Sequence, residues 1–286
     1  GTSDIARVNA GLLSASKFSD AVWKHVKIIA NQVAARRQGL VLSTGNLIRR
    51  FTMSYGTGST SALSSGSRGG GARRVFEFGR THVVKPKGRH QATIVWLHGL
   101  GDNGSSWSQL LETLALPNIK WICPTAPTRP IALFGGFPST AWCDVADLSE
   151  EAAADYEGLD SSAAHVANLL STEPPEIKLG VGGFSMGAAI ALYSATSCVV
   201  GKYSNGDPYP VNITAAVGLS GWLPGGKDLQ NKLKDSQGAL KRAETMPLLL
   251  CHGKVDDVVS YKHGEKSAQV LELTGFANTT FKTYRG

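Results

Sequence analysis

From residue 74 onward, short apolar runs recur along the chain with helical stretches between them. The runs fall at 92–97, 120–123, 177–181, 213–219, 247–251 and 280–284, and residues 75–84 alternate in the manner of a strand. Apolar spacing over 159–170, 186–195 and 261–273 predicts helices. Strands alternating with helices predict an α/β fold with a mostly parallel sheet covered on both faces. In such a fold the C-terminal ends of the strands share one edge, and a site is expected there.

Upstream of this body the pattern changes. Leu12, Phe18, Val22, Val26, Ile29 and Val33 stand at helical spacing, among Lys17, Lys24, Lys27 and Arg36. A basic, acid-poor start of this kind is similar to a transit peptide or a membrane-surface helix; the alternative is an accessory segment with no address. Residues 54–72 are Gly/Ser-rich and nearly free of large apolar side chains, the composition of a flexible linker. The expected organisation is a basic extension over 1–53, a linker over 54–73 and an α/β domain over 74–286.

Charge alters this picture little. The net charge is +7, but residues 1–80 alone carry a basic excess of nine, so residues 81–286 balance at −2. A nucleic-acid partner is therefore not expected for the body. The four cysteines form no C-x-x-C pair and no zinc spacing, so no cysteine metal site is expected. Cys123 and Cys251 end apolar runs, as small buried hydrophobes do. The lack of a cysteine framework suits a reducing, cytoplasmic compartment. No apolar stretch reaches the about 18 residues of a membrane span.

Candidate chemistry begins with Gly183-Phe184-Ser185-Met186-Gly187, a G-x-S-x-G between an apolar run and an Ala/Leu-rich helix. That strand–turn–helix context is the nucleophile elbow of an α/β hydrolase, with Ser185 as nucleophile. The helix N-terminus beside it favours a developing oxyanion. His98-Gly99-Leu100-Gly101-Asp102 follows the 92–97 run, where this fold places its second oxyanion donor. The expected donors are the backbone N–H groups of Leu100 and Met186. His252-Gly253-Lys254-Val255-Asp256-Asp257 follows the 247–251 run, and a carboxylate there can orient an imidazole. Spacing does not separate Asp256 from Asp257. The base should follow the acid in the chain, and only His263 does so, within a helix that leads away from the loop. His98 and His252 read as loop supports, and His165 as a structural or surface residue.

With these residues in view, the chain resembles the acyl-protein thioesterase and lysophospholipase family of carboxylesterases, in its plant-like branch. The resemblance rests on TIVWLHGLGDNGSSW (93–107), PTAPTRP (124–130), GGFPSTAWCD (135–144), GVGGFSMGAA (180–189), GLSGWLP (218–224) and LLCHGKVDDVV (249–259). It implies an α/β-hydrolase fold and a cofactor-free serine esterase. The implied substrates are acyl esters and thioesters, including S-acylated proteins and lysophospholipids, with peripheral membrane contact. It selects Asp256 over Asp257, and it places Phe134, Phe137 and Trp142 beside an acyl channel. Cys143 stands in place of a larger apolar residue, and Ser260 in place of a proline.

In relatives the catalytic histidine and a final helix follow the strand that resembles 280–286. The sequence ends at Gly286, so the resemblance implies that both are missing, with lower stability and little turnover. The readings to be separated are a serine hydrolase, a non-catalytic acyl binder, and a membrane-targeted interaction protein acting through residues 1–52. Losing a triad member costs about four to six orders of magnitude in turnover. Hydrolysis of a p-nitrophenyl ester is therefore expected to be at least a thousandfold below that of an intact relative. A relative-like rate would overturn the expectation.

Overall fold

The computed structural model describes residues 75–147 and 153–285. The basic extension and the linker predicted upstream lie outside the described residues. A compact unit spans Phe76–Gly286.

Seven strands form one sheet in the order β1-β3-β2-β6-β7-β8-β9. They are β1 (His82–Val84), β2 (Ala92–Leu97), β3 (Ile119–Cys123), β6 (Lys178–Phe184), β7 (Ala215–Leu219), β8 (Leu248–Gly253) and β9 (Thr279–Tyr284). Only β1 is antiparallel to its neighbour. Every residue of β2 and of β8 is buried. Continuous burial of this kind requires cover on both faces, as the parallel pattern predicts. A two-stranded hairpin, β4 (Thr128–Pro130) with β5 (Pro138–Thr140), stands apart.

The helices are α1 (Gly104–Glu112), α2 (Tyr156–Ser171), α3 (Met186–Val200), α4 (Gly226–Lys234), α5 (Ala239–Thr245) and α6 (Tyr261–Leu273). Helix α3 is buried on nearly its whole circumference, as a central helix packed against β6, β7 and β2 must be. Helices α1, α4 and α5 were not predicted. In α4 only Leu229 and Leu233 are buried, too few to stand out as a stripe. For α1 the signal was present: Asn103 accepts from Ser106 N as an N-cap, and Trp107, Leu110 and Leu111 form the buried face.

Residues 76–79 do not extend β1 as the alternation suggested. Phe76 instead lies under the Arg129 guanidinium, and Phe78 stacks on His165 with ring centroids 3.8 Å apart. Burial lowers the His165 pKa to about 4, so the stacked ring is neutral. Strand β6 runs past residue 181 because Gly182 and Gly183 pair with Trp96 and Leu97 of β2. Glycine is a poor strand former, so this extension is set by the partner strand.

At the other edge of the sheet, Glu173 ties three segments together. Its side chain is 3% exposed, accepts from Thr93 Oγ1 at 2.7 Å and pairs with Lys120 Nζ. Burial pushes its pKa up, but Lys120 and Thr93 outweigh burial and hold it below the usual value. A depressed folded-state pKa stabilises above the unfolded value and loses that contribution as pH falls. Glu173→Gln should cost about 2 kcal/mol in urea unfolding at pH 7. The difference from wild type should shrink as pH falls below 4.5.

Candidate active site

Strand order reverses between β2 and β6. From β2 the chain steps outward to β3, and the later strands extend the other way from β6. Open α/β sheets bind ligands in the crevice beyond the strand ends at such a point. Leu97 pairs with Gly183, so the segments that follow, His98–Leu100 and Phe184–Met186 by number, leave the sheet at the same level.

Ser185 occupies the turn at φ 55° and ψ −120°. For a residue with a Cβ this backbone is strained, at a cost of about 1–3 kcal/mol. The surroundings enforce it. A Cβ on Gly183 would lie 2.4 Å from the Gly187 carbonyl, and one on Gly187 would lie 2.1 Å from Leu97 O. The two glycines therefore let the first turn of α3 press against the end of β2. Ser185 N donates to Leu219 O at 2.8 Å, which anchors the turn to β7.

Met186 is the first residue of α3, so its N–H has no intrahelical acceptor. Leu100 lies in the loop that passes Ser185; a Cβ on Gly99 would stand 3.4 Å from Ser185 Cβ. That loop is held from three sides. Gly101 N donates to Thr140 O at 2.9 Å, Thr140 Oγ1 to Asp102 O at 2.8 Å, and Trp142 Nε1 to His98 O at 2.8 Å. His98 completes the support. Its Nε2 accepts from Ala126 N at 3.0 Å, which leaves Nδ1–H to donate to Gly99 O at 2.6 Å. Burial lowers the His98 pKa, and a neutral ring is what this one-donor, one-acceptor arrangement requires.

The two candidate acids are placed differently. Asp257 is exposed, whereas the Asp256 side chain is fully buried. Asp256 Oδ1 accepts from Val258 N at 3.0 Å and Val259 N at 2.9 Å, and Oδ2 lies 3.6 Å from His252 Nε2. His252 Nε2 donates to Val259 O at 2.7 Å, and its ring packs against α6 at Gly264. His263 lies in α6 and lines a cavity. Cys123, Cys143 and Cys251 are buried free thiols whose pKa burial pushes up to about 12. They are protonated and unsuited to nucleophilic work.

Trp142 is 1% exposed, bonded to His98 O and 4.9 Å from the His98 ring centroid. It supports the loop that carries Leu100 through this bond to His98 O. Phe134 is half-buried against the core, and Phe137 is 47% exposed on the hairpin.

Sequence reasoning also passed over a cavity of about 330 Å³. Val145, Tyr156, Trp222, Leu223 and Val270 supply apolar wall, with His263 and the charged side chains of Asp144, Asp147, Asp155, Lys227, Asp228 and Lys266 around it. Ser185, Leu100, Met186 and Asp256 do not line it, but its walls come from segments adjacent to the site in the chain. Trp222 follows Gly221, where a Cβ would lie 2.8 Å from Ser185 O. Asp144 and Val145 follow Trp142 closely, and α6 follows the Asp256 loop. The GLSGWLP motif was the available signal, although it named no role for Trp222.

The Phospholipase/Carboxylesterase family matches residues 79–286. Among solved structures, the Zea mays acyl-protein thioesterase 2 is 72% identical with a TM-score of 0.71, covering 72% of this chain and 89% of that one. Acyl-protein thioesterase 1 homolog 1 of Dictyostelium discoideum is 32% identical over 72% of this chain and 86% of its own length. Acyl-protein thioesterase 1 of Yarrowia lipolytica is 32% identical over 71% of this chain and 86% of its own length. With the elbow, the switch-point crevice and these likenesses together, the chain belongs to the phospholipase/carboxylesterase family of α/β hydrolases.

Proposed function

We propose that this chain cleaves acyl thioesters and esters through Ser185, with S-acylated proteins as the substrate class. The observation that carries the reading is Ser185 itself, held at positive φ at the switch point and followed directly by the first N–H of α3. The relatives named acyl-protein thioesterase support the substrate class.

Ser185 Oγ attacks the acyl carbonyl and passes its proton to an imidazole, which the assay below supplies from the buffer. The oxyanion that forms is held by Leu100 N–H and Met186 N–H, each worth about 3 kcal/mol at the transition state. Collapse expels the thiolate or alkoxide, which leaves protonated, and water then releases the acid from the acyl-enzyme. Asp256 is the carboxylate that orients the imidazole, since it is buried and rigidly held while Asp257 is exposed. The rings of His98, His165 and His252 are engaged elsewhere, so none of these serves as base. The acyl chain lies in the cavity beside Trp222, with Phe134 and Phe137 bordering its approach.

Release of p-nitrophenol from p-nitrophenyl butyrate tests the reading, with imidazole in every buffer so that a proton acceptor is always present. Ser185→Ala should lower the enzyme-dependent rate at least a hundredfold. Equal rates for wild type and variant would overturn the assignment. Asp256→Asn should reduce the same rate at least tenfold, whereas Asp257→Asn should stay within twofold. The reverse order would transfer the role to Asp257.

A further inference from the structure

One wall of the cavity beside Trp222 is the short segment around Asp144 and Val145. This segment belongs to no helix or strand, yet its backbone is tied down. Asp144 Oδ1 accepts from Ala132 N and from Val145 N, both at 2.8 Å. Val145 O accepts from Leu133 N at 2.8 Å. The remaining tie is Asp144 N, which donates to Asp155 Oδ2 at 2.7 Å.

Asp155 is the hub of the arrangement. Its Oδ1 caps α2 by accepting from Gly158 N at 3.0 Å, and its Oδ2 also accepts from Arg129 Nη2 at 2.8 Å. Arg129 sits in β4, is 7% exposed, and lies 4.6 Å from the centroid of the Phe76 ring. Space for the ion pair is built into α2. A Cβ on Gly158 would fall 2.3 Å from Asp155 Oδ2 and 2.7 Å from Arg129 Nη1.

A buried ion pair adds little net stability, because desolvation offsets most of the attraction. Its effect here is geometric. One carboxylate joins β4, the α2 N-terminus and the cavity wall, with Oδ2 shared by Arg129 and Asp144 N, so the position of Asp144 follows that of the guanidinium.

We propose that Arg129 and Asp155 are positioning residues that set which acyl chains the cavity accepts. The inference rests on the reading that the cavity holds the acyl chain. Neither residue touches the reacting atoms. Asp155 lines the cavity beside Asp144, and Arg129 acts through that carboxylate, so a long chain that fills the cavity senses them and a short one does not.

Calorimetric titration of the full chain with hexanoate and dodecanoate tests this without requiring turnover. Wild type should bind dodecanoate at least tenfold more tightly than hexanoate. Arg129→Met should weaken dodecanoate binding at least tenfold and hexanoate binding less than twofold. Arg129→Lys, which keeps a cation opposite Asp155, should recover dodecanoate affinity to within threefold of wild type. Should Arg129→Met fail to fold, Asp155→Asn keeps a capping oxygen, removes the charge and should give the same chain-length-selective loss. Equal losses for both acids, or no loss for either, would overturn the positioning role while leaving the acyl cavity standing. Wild-type affinity independent of chain length would overturn the cavity reading and the inference with it.

Discussion

The contact between Gly187 and the end of β2 governs the geometry of this molecule's catalytic edge. A Cβ at that position would penetrate the Leu97 carbonyl, so α3 reaches the strand only because a hydrogen stands where a methyl would be. Close seating puts the α3 N-terminus level with the loop leaving β2. From that one approach follow the turn at Ser185 and burial of α3 at the centre of the core. The strain at Ser185 is sustained because the flanking strand and helix are over-determined by packing.

Polar groups around this edge are arranged as supports more than as reactants. His98, Trp142 and Thr140 each spend a hydrogen bond on the loop that carries Leu100. His252 does the same for the loop that carries Asp256. Buried polar groups are costly unless satisfied. A loop held by several satisfied groups cannot relax without breaking them, and electrostatic stabilisation of a transition state depends on donors that do not reorganise. The Arg129–Asp155 pair extends the same principle to the cavity wall.

Much of the fold was legible in the chain's own text. Strand β2 and helix α6 coincide with their predicted spans, and the order of strands and helices follows the alternation of apolar runs. The G-x-S-x-G turn was legible too, since five consecutive residues dictate its conformation. Less legible were elements whose pattern is weak locally, such as α4, and β1, which proved short because residues 76–79 pack across the domain.

Sequence alone determined the fold class and the turn at Ser185, because each depends on neighbours within a few residues and leaves a periodic or motif-like trace. Tertiary structure decided the rest. It buried Asp256 and exposed Asp257, which are adjacent and chemically identical in the sequence. It bonded Trp142 to His98 O, 44 residues away. It joined Arg129 to Asp155 across 26 residues. Burial and long-range pairing depend on which strands and helices become neighbours in space, and the spacing of residues along a chain carries no record of that.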